Sequence, residues 1–326
     1  MVRYPLFTPA VFLIGALLVL TPPSHAAPPP SLAISSGTTT SSYYAAASAV
    51  AKLFNRKSQA HGVRLATVAS AGSVANIDAV AEGGAAFGIA ETELLKRAAQ
   101  GGHPWEGKAR SQLRAVLGLY QASVTIVAAV DSGVRRVVDL KAKRLNIGAP
   151  GSIDNTFAGT LLQMSGLNPG QVIISQHSTA LAPELLQKRD IDAYICIVGH
   201  PNLTVLEASA GKRKVSLVPL DEELIKQVTL QNPLLAPVLI PTRSYPGVEL
   251  RGTVPSIGVR SVLFTTADQS EETVYRMVRE IMTNLDLFRR QHPILQELTP
   301  EQIAHVTAIP LHPGAARYFK ESGLIP

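Results

Sequence analysis

The stretch VRLATVASAGSVANIDAVAEGGAAFGIA, residues 63–90, decides how this chain folds. Residues 63–68, with β-branched Val63, Thr67 and Val68, read as a strand. Small residues then interrupt the run: Ala69-Ser70-Ala71-Gly72-Ser73. Residues 74–82 place Val74, Ile77 and Val80 at helical spacing, with Ser73 as a candidate N-cap and Gly83-Gly84 as the stop. Residues 87–90 form a second short apolar run. Strand, glycine turn, helix and strand in 28 residues make a βαβ unit, which argues for an open, largely parallel sheet covered by helices.

The same alternation extends in both directions. Residues 32–35 read as a strand closed by Gly37, and the alanine-rich residues 43–54 as a helix. A second series follows, with strands at 145–148, 172–174, 191–198 and 215–220 and helices at 155–164, 182–188 and 221–230. Residues 113–130 are almost continuously apolar. They are read as two strands with a crossing segment near Ser123. The proline-rich stretch from Pro233 to Pro255 is expected to be irregular and to carry the chain back to its first half. Val274, Met277, Val278, Ile281, Leu285 and Phe288 define one face of a helix over residues 273–289.

The chain has 326 residues, enough for two bodies of ordinary domain size. Net charge is +6, yet the basic residues are scattered in short clusters such as Lys212-Arg213-Lys214. Without a longer basic stripe interleaved with aromatics, a nucleic-acid partner is not expected. Aromatic residues make up 5%, which disfavours a sugar-stacking site. Cys196 is the only cysteine and sits in an apolar strand, so it reads as a buried small hydrophobe rather than a nucleophile.

At the N-terminus, Arg3 precedes the ten-residue apolar run of residues 11–20, and Ser24-His25-Ala26 follows. This is the pattern of an export signal over residues 1–26 cleaved after Ala26, and the run is too short to span a bilayer. The mature protein is therefore expected in the periplasm.

Two glycine/serine turns stand where strands hand over to helices: Gly72-Ser73 and Gly148-Ala149-Pro150-Gly151-Ser152. Helix starts leave unpaired N–H groups and carry partial positive charge, so each turn can receive an anionic group. Enzyme signatures fail on inspection. Gly102 to Ala109 has phosphate-loop spacing, but Ala109 stands where a magnesium-holding Ser or Thr is needed. His292, His305 and His312 lack metal-ligand spacing. No catalytic residue, metal or cofactor is expected.

The ordered motifs resemble the TAXI family, the solute receptors of one branch of the tripartite ATP-independent periplasmic (TRAP) transporters. They are residues 36–44 (SGTTTSSYY), 71–76 (AGSVAN), Asp131-Ser132-Gly133-Val134, Asp139-Leu140-Lys141, Gly151-Ser152, Ile191-Asp192-Ala193, Gly199 with Pro201, and residues 310–315 (PLHPGA). The resemblance implies a type II periplasmic binding protein: two αβ lobes joined by a hinge, with a cleft between them. It implies a small-molecule ligand, commonly an acid such as glutamate or 2-oxoglutarate, and permease subunits of a TRAP transporter as membrane partners. Carried over by position, the cleft residues are Gly37, Thr38, Tyr43, Gly72, Ser73, Gly151, Ser152 and Gly199. Two departures stand out: Glu91 where the family usually has Gln, and Ile153-Asp154 where it often has Gly-Thr. A carboxylate at each position would repel a dianion by about 1 kcal/mol. Glu91 and Asp154 are therefore added to the ligand-binding set, and Glu91 is expected to face the cleft and accept a hydrogen bond from a ligand ammonium.

The expected organisation is a lobe of residues 27–123 plus 254–326 and a second of 124–253, acting as a monomer. The expected function is capture of a small polar solute, an amino acid or small organic acid, without catalysis. A sensor subunit of a membrane kinase and a secreted enzyme on the same scaffold are the alternatives.

Overall fold

The structure is a computed structural model describing residues 1–2, 29–249 and 251–326. The expected export signal over residues 1–26 falls almost entirely outside the described residues. Among those described, no helix is long and apolar enough to cross a membrane.

The first half of the chain runs β1 (Ser31–Ser35), α1 (Ser42–Asn55), α2 (Ser58–His61), β2 (Arg64–Val68), α3 (Ser73–Ala81), β3 (Phe87–Glu91), α4 (Thr92–Gln100) and β4 (Leu113–Ala129). The second series is β5 (Arg144–Asn146), α5 (Ile153–Met164), β6 (Ile173–Ser175), α6 (Ala182–Gln187), β7 (Ala193–Val198), α7 (Leu203–Ala210), β8 (Val215–Leu217), α8 (Glu222–Gln231) and β9 (Leu235–Pro241). The chain closes with β10 (Thr253–Thr266), α9 (Glu271–Thr283), α10 (Leu285–Arg289), α11 (Pro300–Ala304) and α12 (Pro313–Glu321).

Hydrogen bonding connects these strands in the order β2-β1-β3-β10-β4-β7-β5-β6. The trio β2-β1-β3 is parallel at one end and β7-β5-β6 is parallel at the other. Between them β4 and β10 run antiparallel to each other and to their neighbours. The sheet is therefore mixed rather than largely parallel. Each parallel trio with its helices forms one αβ lobe, and the two long strands pass from one to the other.

Two readings change here. Residues 113–129 form one 17-residue strand with no crossing segment at Ser123. Its first part pairs with β10 and its last part with β7, so different partners satisfy one continuous backbone. The proline-rich stretch contains β9, and β10 begins at Thr253. Pro237 and Pro241 are tolerated because β9 pairs on one side only, with β10.

Burial explains the helices. α1 turns Ala46, Ala47, Val50, Leu53 and Phe54 into the core. Burying a side chain the size of Phe54 contributes roughly 1.5–3 kcal/mol. The expected helix over 273–289 is split at Asn284, whose non-helical φ of −122° and ψ of 35° end α9. Its inner face nevertheless survives the break: Val274, Met277, Val278, Ile281 and Phe288 are all fully buried. Cys196 is fully buried in β7.

Candidate functional site

Helix starts converge on the space between the lobes. α1, α3, α5 and α7 each begin there, supplied by the loops at Gly37–Ser42, Ala71–Ser73, Ala149–Asp154 and Val198–Thr204 that line one cleft of about 120 Å³. Three of these helices are capped by side chains. Ser41 Oγ accepts the Tyr44 N–H, Ser152 Oγ accepts the Asn155 N–H, and Asn202 Oδ1 accepts the N–H groups of Thr204 and Val205. α3 begins at Gly72, which has no side-chain cap and φ of +114°, a backbone only glycine adopts without strain. Its first-turn N–H groups are thus left for another acceptor.

The rest of the wall is hydroxyl-rich: Thr38, Tyr43, Ser73, Tyr120, Ser152 and Thr179 all contribute. Among the described residues lining the cleft, Asp154 is the only charged side chain. Its Oδ2 accepts the Thr179 hydroxyl at 2.5 Å and its Oδ1 accepts the Ile197 N–H at 2.7 Å. Burial pushes its pKa up to about 6, against the pull of those two donors, so it is ionised at neutral pH.

Of the ten residues expected at the site, Gly37, Thr38, Tyr43, Gly72, Ser73, Ser152 and Asp154 line this cleft together. Gly151 does not line it and is exposed, its φ of +79° shaping the turn that starts α5. Gly199 borders a second cavity on the far side of Tyr120, although its carbonyl accepts the Ser42 hydroxyl from α1 at 3.4 Å. Glu91 is not on the wall. It is fully buried behind Ser73, whose Oγ lies 2.6 Å from Glu91 Oε2. Here β3 ends inside the fold rather than at the open crevice, because Tyr43 and Ser73 close over it.

Sequence reading missed Tyr120, Ser178, Thr179, Asn202 and Thr204. Asn202 was accessible as an N-cap directly before the apolar run of α7. Tyr120 and Thr179 reach the cleft from a mid-strand position and from a loop, and no local pattern marks either.

Behind the wall, Asn76 ties the turns together. It is fully buried; its Nδ2 donates to the carbonyls of Ser36 and Ile89, and its Oδ1 accepts the hydroxyls of Ser35 and Ser70. Trp105 is occupied structurally, donating its indole N–H to Asp78 at 2.8 Å. No cluster of metal-ligating side chains is present among the described residues.

With this geometry in place, the sequence profile of the NMT1-like family matches residues 34–323. The chain belongs to the NMT1-like family. Among solved structures, this NMT1-like protein is similar to the periplasmic binding protein BugD, at TM-score 0.55 and 14% identity, over 91% of this chain and 98% of that one. It is similar to MatC from Rhodopseudomonas palustris, which holds malate, at TM-score 0.54 and 14% identity, over 90% and 97% of the two chains. A protein from Bordetella bronchiseptica RB50 gives TM-score 0.53 and 15% identity over 90% and 98%. At these identities the likeness is one of fold: the two-lobed α/β architecture of periplasmic binding proteins.

Proposed function

We propose that this NMT1-like protein is an extracytoplasmic solute-binding protein that captures a small polar acid, foremost an amino acid, and delivers it to a membrane permease. The observation that carries this reading is the pairing, in one interlobe cleft, of the uncapped start of α3 with the ionised Asp154. A ligand carboxylate matches the first and a ligand ammonium the second. Nothing on the wall is arranged as a nucleophile with its base, so the ligand is bound and released unchanged.

The motif resemblance supports the finer assignment. It makes the protein a TAXI-type receptor whose partner is an ion-gradient-driven TRAP permease, exported to the periplasm with residues 1–26 removed. The moving bodies are residues 27–123 plus 254–326 and residues 124–253. The crossings between them fall on β4 and β10, the two long strands, so closure bends these strands.

A thermal-shift screen of amino acids, oxoacids, dicarboxylates and small diamines tests the reading. A ligand at 100 times its Kd stabilises the fold by ~2.7 kcal/mol. Stabilisation by an amino acid or small acid, lost when Asp154 or Ser73 is replaced, is the expected result. A panel with no stabilising member, or turnover of any member, counts against it.

A further inference from the structure

Glu91 is a buried carboxyl that the cleft wall hides. One of its oxygens faces Ser73, and the other, Oε1, is buried with no hydrogen-bond partner among the described residues. The charged groups acting on it are Asp154 from α5 and Glu93 from the next turn of its own chain, both acidic. From β4 comes the hydroxyl of Tyr120, kept protonated by burial, and from β10 the strand partner Ser261. Arg260, beside Ser261, is directed away: its guanidinium bonds the Leu119 carbonyl and borders the second cavity. Among the described residues, no lysine, arginine or histidine acts on Glu91. With only the Ser73 hydroxyl and its own backbone N–H to set against full burial and two acidic neighbours, the ion is under-compensated, so the carboxyl keeps its proton. Burial foremost, against the pull of its own backbone N–H and helped by Asp154 and Glu93, pushes its pKa up to about 8.

Ser73 passes this state outward. Its Oγ lies 2.6 Å from Glu91 and 2.8 Å from the Tyr43 hydroxyl, and Tyr43 is on the cleft wall. Each hydroxyl has one proton to give. When Glu91 is protonated it donates to Ser73, Ser73 donates to Tyr43, and the Tyr43 O–H turns to the cleft. When Glu91 is ionised the order reverses, and Tyr43 offers the cleft only lone pairs.

We infer that Glu91 is a specificity-determining positioning residue: protonated, it sets the Ser73–Tyr43 relay so that Tyr43 donates into the cleft and selects a ligand with an anionic oxygen beside the start of α3. The inference deepens the solute-binding reading and rests on it for the ligand, while the relay itself exists in the ligand-free protein.

NMR of the purified protein with ¹³C-labelled Glu side-chain carboxyls and ¹³C-labelled Tyr ring Cζ tests the relay without a ligand. Glu91→Gln and Tyr43→Phe assign the two signals. Glu91 is expected to titrate near pH 8, with the Tyr43 signal moving at the same midpoint. In Ser73→Ala, Glu91 still titrates and Tyr43 no longer follows; in Glu91→Gln, Tyr43 stays fixed. Glu91 ionised at pH 6, or Tyr43 following it unchanged in Ser73→Ala, overturns the relay. With succinate and L-glutamate as probes, binding to the unaltered protein is expected to weaken about tenfold from pH 6.5 to pH 9.5, roughly the loss of one hydrogen bond. Binding to Glu91→Gln stays nearly constant, because an amide donates to Ser73 at either pH. Equal binding at both pH values in the unaltered protein, or no binding of either probe, overturns the selection. Failure of the whole thermal-shift panel is the separate result that removes the solute-binding reading.

Discussion

Asp154 and Ile197 are joined across 43 positions of chain: the carboxylate at the start of α5 accepts the backbone N–H at the end of β7 at 2.7 Å. The bond fixes the second lobe's side of the cleft, because the same carboxylate also holds Thr179 from the loop before α6.

Replacing Asp154 by alanine leaves the buried Ile197 N–H unpaired and the part-buried Thr179 hydroxyl without its partner. The expected loss is roughly 1–3 kcal/mol in urea denaturation, with loss of any amino-acid ligand found by the screen. Asp154→Asn retains one acceptor oxygen, so it should recover most of the stability but not the affinity for an ammonium group. Equal affinity in Asp154→Asn and the unaltered protein would show that the carboxylate serves the fold alone.

Glu91 gives stability an inverted pH dependence. Its pKa rises from 4.5 to about 8 on folding, so between those values the folded state binds more protons than the unfolded one. Stability contributed by this group is complete below about pH 4.5 and falls as pH rises through 8. Asp154 acts the same way between 3.8 and about 6. His200 acts oppositely: burial lowers its pKa from 6.5 to about 4, and its contribution is lost as pH falls. Comparing Glu91→Gln with the unaltered protein isolates the first effect. The variant's relative stability should climb by a few kcal/mol from pH 5 to pH 9, at ~1.4 kcal/mol per unit of pKa. Parallel curves over that range would mean that Glu91 is ionised throughout.

Asn76 makes four hydrogen bonds while fully buried. Asn76→Ala should cost about 2–4 kcal/mol, since two carbonyls and two hydroxyls lose a partner in low dielectric. Asn76→Asp should be worse at neutral pH, because a carboxylate would face the Ser36 and Ile89 carbonyls. Hydrogen exchange should show the Ser36–Gly37 and Ser70–Ser73 turns opening first. A loss under about 0.5 kcal/mol in Asn76→Ala would contradict the network's role.

Gly199 is required for space. A Cβ there would stand 2.6 Å from the Tyr120 ring and 3.1 Å from Ile294. Gly199→Ala should therefore push the Tyr120 ring toward the cleft, at a cost of about 1–3 kcal/mol in stability. Calorimetric titration with the strongest ligand from the screen should show weakened binding. Unchanged affinity and unchanged stability together would show that the ring moves freely.

The sequence by itself determined the class of fold and most of the loops that build the cleft. Residues 63–90 are legible because local chemical signals bound the elements there: Gly72 and Gly83 act within a few residues, although Ser73, expected as the N-cap, is instead the first residue of α3 and caps nothing. The observed α3 is displaced from the reading by one residue at each end, and β3 runs one residue further. The same locality exposed Ser152 in its glycine/serine turn, whereas Gly37 and Asp154 entered the site through the family resemblance, the one by position and the other as a departure from its pattern. Only the tertiary structure decided the course of β4 and β10, because both are buried on each side and show no alternation to count; Pro255 and Gly258 further masked β10. Only the tertiary structure, too, placed Tyr120, Thr179 and Asn202 on one wall and put Ser73 and Tyr43 between Glu91 and the cleft. A residue's place after a strand is written in its neighbours, but which side chains close over it depends on partners 18 and 48 positions away, and no local pattern encodes that.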